Sequence, residues 1–391
     1  MAVTIATFIL GAFFCVALAV HLTSVLIVIL RARLADRPVP AADQPAVSIL
    51  RPVCGLENNI EETLASTFAL DYPGYEIVFC VASPEDAVIP LVERLIAAHP
   101  AIPARLLIGD DRISANPKLN NLVKGWRGAR HDWIVMADSN VLLPRDYLKR
   151  LLSRWTAGTG LVTSPAAGIR PQGFWGELEC AFLNTYQARW QLAADQLGLG
   201  FAQGKNMLWR RQLLEDAGGI DALAAEIAED VAATKIIHGR GLKVRLTLTP
   251  FPQPLGFRSL AEVWRRQVRW ARLRRVGLKV YFVPELFAGG LFPLIAAALV
   301  IAAAGFSFAW LTGASLLWYG AEFALARSAG WPSSARSLLA SILRDLLLPV
   351  VWISAWTGNS FVWRGNQMAV AGRPVGAPLA GSQSPAAPDY L

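Results

Sequence analysis

Five short polar strings interrupt an otherwise apolar chain, and each carries side chains able to do chemistry. In WIVMADSNVLLP (133–144) the apolar run breaks at Asp138-Ser139-Asn140. A carboxylate with an amide two residues on is a variant of the Asp-x-Asp arrangement, and hard divalent cations such as Mg²⁺ or Mn²⁺ take oxygen ligands. A metal held there neutralises a diphosphate leaving group, although the same three residues also make ordinary turns. Glu85-Asp86 can hold the base or ribose of a nucleotide, or cap the helix whose pattern follows. The string Asn116-Pro117-Lys118-Leu119-Asn120-Asn121 reads as a loop with one cation and several amides. It suits a phosphate or a uracil edge, and a solvated surface turn would look the same. Glu229-Asp230, in IAEDVAATKIIHGRG, is an acidic pair inside an otherwise apolar helix. A carboxylate there can serve as a general base, unless both acids lie on a solvated face. In RRQVRW (265–270), continued by ARLRR, six arginines from Arg265 to Arg275 fall within about three helical turns. Guanidinium forks at Arg266 and Arg269 suit diphosphate oxygens, and the Trp270 indole can stack on a sugar or an acceptor chain. The rest of this basic stretch suits anionic headgroups.

These groups need elements to position them. Apolar runs at AVSILRPV (46–53), YEIVFCV (75–81), ARLLIG (104–109) and DWIVMA (132–137) alternate with helical patterns such as NIEETLASTFAL and AVIPLVERLIAAH. That alternation predicts an α/β domain over residues 44–280, with a doubly wound, mostly parallel sheet. Ligands bind such sheets beyond the carboxyl ends of the strands. Asp86 follows the second predicted strand and Asp138 the fourth, so both fall on that edge.

The chain of 391 residues is 54% hydrophobic and 17% charged, with a mean hydropathy of +0.39. That is too apolar for an ordinary soluble enzyme and too polar in its middle for a bundle of membrane helices. Val3 to Leu30 carries no formal charge over more than the roughly 20 residues needed to cross the hydrocarbon, so residues 1–32 are expected to be a transmembrane anchor. A cleaved signal peptide is disfavoured by the length of the run and by the lack of a basic residue before it. Arg31, Arg33 and Arg37 follow directly, which places the domain after them in the cytoplasm. Residues 283–327 are expected to form a transmembrane hairpin turning near Gly305, with Glu322 close to its cytoplasmic end. Over 336–366, Arg344, Asp345 and Pro349 interrupt the apolar run. Charge at the bilayer centre is costly, so this segment is expected to be interfacial or re-entrant, with a fourth crossing as the alternative. Residues 372–391 are rich in Gly, Pro, Ala and Ser and are expected to be disordered. The four cysteines form no C-x-x-C pair and the four histidines no H-E-x-x-H, which argues against a disulfide framework or a zinc site. The net charge of +8 admits nucleic acid as a partner, but a basic helix next to a span has the lipid surface nearer.

The order Asp86, Asp138, Asp230, then Arg-x-x-Arg-Trp at 266–270, resembles the D, D, D, (Q/R)xxRW pattern of membrane-bound GT-A glycosyltransferases. More narrowly, VSILRPVCGLENNIEETLASTFALDYPGYEIVFCV, ARLLIGDDRISANPKLNNLVKGW, DAGGIDALAAEIAEDVAATKIIHGRG and RRQVRWARLRR are similar to ceramide glucosyltransferases. The resemblance runs over nearly the whole chain. It implies a GT-A domain flanked by transmembrane helices, which transfers glucose from UDP-glucose to the primary hydroxyl of ceramide with inversion. It also implies roles: Asp86, Lys118 and Asn120 on the donor, Asp138 on the donor through Mg²⁺ or Mn²⁺, and Asp230 as the base. Arg266, Arg269 and Trp270 would close over the diphosphate and the acceptor. Three departures qualify it. Asn140 stands where many of the wider group have Asp, Ser83 where animal members carry an acid, and Gln187 where they place a histidine near the acceptor. Diacylglycerol or a hopanoid as acceptor, galactose or N-acetylglucosamine as donor sugar, and a catalytically silent membrane scaffold therefore stay open. About three crossings are too few to line a polymer channel, which points to one sugar per lipid. The abundance of alanine and arginine points to a bacterial inner membrane.

Overall fold

The computed structural model describes residues 2–34, 36, 44–358, 360–363 and 366–369, so the expected tail at 372–391 lies outside the described residues. The strands of the α/β domain are β1 (Val47–Val53), β2 (Tyr75–Val81), β3 (Ala104–Ile108), β4 (Trp133–Ala137), β5 (Thr159–Thr163), β6 (Ala166–Gln172), β7 (Asn206–Arg210), β8 (Lys243–Leu246) and β9 (Phe251–Phe257). Seven of them form one sheet in the order β3-β2-β1-β4-β7-β5-β8, while β6 and β9 pair separately in parallel. The four expected strands are all present and mutually parallel. Strands β1 and β2 are buried at every position, and β4 at all but Trp133. Strands covered on both faces read as unbroken apolar runs, which is why they were visible in the string.

The antiparallel strand β7 departs from that simple pattern. It runs against β4, pairing Ala137 with Asn206. Its amino end therefore lies beside the carboxyl end of β4, and Asp138 N donates to Lys205 O at 3.0 Å. This one inversion delivers residues 203–205 to the ligand-binding edge.

The helices that matter here are α1 (Ala2–Ala32), α2 (Pro117–Gly128), α3 (Gly173–Ala181), α4 (Arg189–Gln196), α5 (Glu229–Gly239), α6 (Leu260–Gly277), α7 (Leu291–Ala304), α8 (Ala309–Ser328) and α9 (Ala335–Trp356). A π-helical turn, Phe182–Ala188, joins α3 to α4. Among the described residues, three helical stretches are long and apolar enough to cross a membrane: Thr4–Ala32, Lys279–Ala304 and Ala335–Trp356. Helices α7 and α8 form a hairpin whose turn uses Gly305 at φ +70°. The segment expected to be interfacial contains one continuous helix, α9, with Pro349 inside it.

Two of its charged residues, Arg344 and Asp345, face inward. Arg344 (0% exposed) holds both oxygens of Glu322 (2%) at 3.0 Å and Asp345 (1%) at 2.7 Å. It also donates to Thr185 Oγ1 at 2.7 Å, and Asp345 accepts from Gly290 N at 2.7 Å. Buried Arg189 of α4 bonds His21 of α1 at 2.7 Å and approaches Glu322 at 3.7 Å. A polar lock thus joins α1, α4, α8 and α9.

Arg31, at the end of α1, is equally internal. It is 2% exposed, pairs with Asp195 at 2.5 Å and donates to Leu246 O and Thr247 O. Val25 and Val28 of α1 share an apolar core with Leu50, Trp126 and Trp209 of the α/β domain and with Leu325 of α8. The apolar helices α1 and α8 and the α/β domain are therefore packed together through one core.

Candidate active site

Lys118 is the hub of the site. The string 116–121, expected to be a loop, is instead the start of α2. Asn116 is its N-cap, accepting from Lys118 N at 2.9 Å and Leu119 N at 3.2 Å, and Pro117 fills the first helical position. This is ordinary helix-start chemistry. It aims Lys118 Nζ at Asp138 Oδ1 (2.6 Å) and Glu229 Oε1 (2.6 Å), with Gly204 O as a further acceptor. Burial lowers the affinity of Lys118 for its proton, but Asp138 and Glu229 outweigh burial and hold its pKa above the ordinary ammonium range.

Glu229 and Asp230 occupy the first turn of α5, not the helix interior expected from the string. Residues 226–228 are non-helical, and carboxylates are favoured where a helix presents its free amides. Glu229 is 6% exposed and accepts from Asn116 Nδ2 at 2.6 Å, so it does not lie on a solvated face. Asp230 borders the cavity and accepts from Gly204 N at 3.0 Å and Val231 N at 2.9 Å. Burial, and after it the Glu229 charge, push the Asp230 carboxyl up to about 6. Residue 204 must be small: a Cβ there would lie 2.8 Å from Glu229 Oε1.

Asp138 follows β4 directly. Burial raises its pKa, but Lys118 and Lys205 outweigh that and hold it well below the usual carboxylate range. Lys205 Nζ lies 3.1 Å from Asp138 Oδ2 and 2.8 Å from Asn140 Oδ1.

One cavity of about 1180 Å³ collects most of the expected residues: Lys118, Asp138, Asp230, Arg266, Arg269 and Trp270 all line it. Arg266 pairs with buried Glu179 at 2.6 Å, with its guanidinium 5.9 Å from the Trp270 ring centre. Trp270 packs on Cys180, Leu183 and Leu255. Within the basic cluster, Arg274 forks onto Glu285 at 2.6 and 2.8 Å. Asp86 and Asn120 stand outside the cavity lining. Both Asp86 oxygens accept from Gly55 N, at 2.9 and 3.0 Å, which ties the loop after β2 to the loop after β1. The Asn120 amide oxygen accepts from Ile113 N and Ser114 N and so shapes the loop before α2. Gln187 lines the cavity and bonds Gln267 at 3.0 Å. The lining also includes Phe13, Val16, Ala17 and Val20 of α1 and Phe287.

Among the described residues there is no cluster of three His, Cys, Asp or Glu side chains that could hold a metal. Asp138 and Asn140 nevertheless put hard oxygen atoms on the cavity wall. They fit a Mg²⁺-like ion that takes one or two protein ligands and completes its shell on substrate phosphates.

The sequence model of glycosyl transferase family 21 matches residues 12–374. The chain belongs to that family. It is therefore a glycosyltransferase, as its motif order implied, and a silent scaffold is not favoured. It is 27% identical to ceramide glucosyltransferase 1 of Caenorhabditis elegans over 354 aligned positions, covering 87% of this chain and 74% of that protein. It is 27% identical to the ceramide glucosyltransferase of Komagataella phaffii over 430 positions, covering 85% and 84%. Among solved structures, a mannosyltransferase from Pyrobaculum calidifontis in complex with GDP-Man and Mn²⁺ superposes with a TM-score of 0.50. The pair are 20% identical over 86% of this chain and 99% of that one, which shows the shared GT-A fold. Lys205 is the site residue that sequence reasoning missed. The string GKN looks like a turn before a strand, and only the antiparallel pairing of β7 places it on Asp138.

Proposed function

We propose that this family 21 glycosyltransferase moves glucose from UDP-glucose to the primary hydroxyl of ceramide, giving β-glucosylceramide. The observation that carries the reading is the continuity of the cavity. Carboxylates and cations from the sheet edge and apolar side chains of the membrane-type helix α1 line the same cavity, so a charged nucleotide sugar and a lipid can meet in one space. The two relatives named for ceramide glucosylation supply the sugar and the lipid.

Asp230 takes the proton of the acceptor hydroxyl. The hydroxyl oxygen bonds the anomeric carbon from the side opposite UDP, the bond from that carbon to the diphosphate oxygen breaks, and UDP leaves with the electron pair. A carboxyl held near 6 is charged at neutral pH yet basic enough to accept that proton. Lys118 fixes Asp138 and Glu229 on either side of itself, while Arg266, Arg269 and Trp270 cover the diphosphate and the head of the acceptor. Asp86 and Asn120 act on the donor by shaping the loops that receive it. A divalent cation, Mg²⁺ or Mn²⁺, would be held by Asp138 and would neutralise charge on the leaving diphosphate. The α/β domain would lie on the cytoplasmic face, and the composition favours a bacterial inner membrane.

Membranes containing the protein, supplied with Mg²⁺ or Mn²⁺ and labelled UDP-sugars, are expected to glucosylate ceramide. Asp230→Asn should bind UDP normally and lose at least about a hundredfold in transfer. Labelling of diacylglycerol or a hopanoid instead would replace the acceptor, and labelling of no lipid would overturn the reading.

A further inference from the structure

Lys205 forms part of a chain of polar contacts that runs from Glu57 to Glu229. Glu57 accepts from Asn140 Nδ2 at 3.4 Å, Asn140 Oδ1 accepts from Lys205 at 2.8 Å, and Lys205 lies 3.1 Å from Asp138 Oδ2. Lys118 then lies 2.6 Å from Asp138 Oδ1 and 2.6 Å from Glu229. Each oxygen of Asp138 therefore carries its own ammonium. The side chain of Lys205 is 15% exposed and Lys118's is 11%, so water screens these charges little.

A bare divalent cation meets a poor site here. It finds one carboxylate already neutralised twice, and it must come close to two positive charges in a medium where charge repulsion is strong. A nucleoside diphosphate changes that balance, because it brings oxygen ligands and negative charge for the ion and for the displaced ammonium together. The two lysines differ in their ties. Lys118 is held by Asp138, Glu229 and Gly204 O, whereas Lys205 is held by Asp138 and one neutral amide. Lys205 is thus the one that can leave, on a flexible four-carbon stem.

We propose that Lys205 is a positioning residue that reserves Asp138, keeping a divalent cation out until a nucleoside diphosphate arrives and then turning from Asp138 to the diphosphate. The inference rests on the donor and metal reading given under Proposed function. It makes metal binding conditional on nucleotide, so the ion and the donor load together.

The test uses the full chain in detergent and follows bound Mn²⁺ by electron paramagnetic resonance, with Mn²⁺ alone and with Mn²⁺ plus UDP. Wild type should hold Mn²⁺ only with UDP. Lys205→Met should hold Mn²⁺ alone at least about tenfold more tightly than wild type does, and Lys205→Arg should restore the dependence on UDP. Thermal unfolding of each variant shows that it is folded. Unchanged Mn²⁺ affinity in Lys205→Met, or equal Mn²⁺ affinity of wild type with and without UDP, overturns the proposal. If UDP binds by calorimetry while Mn²⁺ binds no chain under any condition, the metal reading falls and this inference with it. If UDP itself fails to bind, the donor reading falls first.

Discussion

Asp230 combines two properties that a base for alcohol deprotonation needs, a position on the cavity wall and a proton affinity raised by burial and by the neighbouring Glu229 charge. In the proposed role as base, its charged form is the working one. The rate of transfer at limiting acceptor should therefore rise with pH through about 6 and level off above. Replacing Glu229→Gln removes the like charge, so this acid limb should move to lower pH, and a pH profile of kcat/KM for the acceptor measures it. An unmoved limb would mean that burial alone sets the value. The sign for stability runs the other way. The ordinary Asp value is 3.8 and the folded one about 6, so the folded chain binds more protons between them. The contribution of this carboxyl to stability is then full below the lower value and is lost as pH rises through the upper one. Asp138, Lys118 and Asp230 could be picked out from the string because each is charged and borders an apolar run. Lys205 could not, because its importance comes from a strand pairing that no local pattern records.

The four parallel strands were legible as continuous apolar runs, and the starts of α2 and α5 were misread for a shared reason. Asn-Pro-Lys and Ala-Glu-Asp are helix-start residues as much as loop or mid-helix residues, and the choice depends on what caps the free amides. The reading of α9 shows a different limit. Arg344 and Asp345 look costly for a membrane segment only while their partners, Glu322 on α8 and Thr185 on the π-helical turn, are out of view. Breaking such a pair from one side leaves a buried charge uncompensated and costs about 3–5 kcal/mol. Arg344→Met should therefore lower the unfolding midpoint in detergent markedly, and adding Glu322→Leu should recover part of the loss. If the double variant is no more stable than the single one, the pair is not what joins α8 to α9.

At the scale of the whole molecule, the α/β domain and the apolar helices form one structure, joined by Arg31, by the lock around Arg344 and by a shared core. The cavity inherits that union, with polar lining residues from the sheet edge and, from α1, a set of apolar side chains that serves as its apolar arm. Filling the apolar arm should then separate the two substrates. Val16→Trp or Val20→Trp is expected to raise KM for the lipid several-fold while leaving UDP affinity unchanged, as lipid titration and UDP calorimetry would show. A matching loss of UDP affinity would mean that the arms are not independent. Val16 and Val20 are also 62% and 48% exposed, so the apolar arm opens toward whatever surrounds α1. In a solubilised sample that surrounding is surfactant, whose alkyl tails match the arm in chemistry. Lipid KM values measured in micelles will accordingly reflect competition by the solubilising agent. Short-tailed and long-tailed surfactants should rank the same set of acceptors differently, and reconstitution into vesicles is the condition in which the enzyme's own chain-length preference is read.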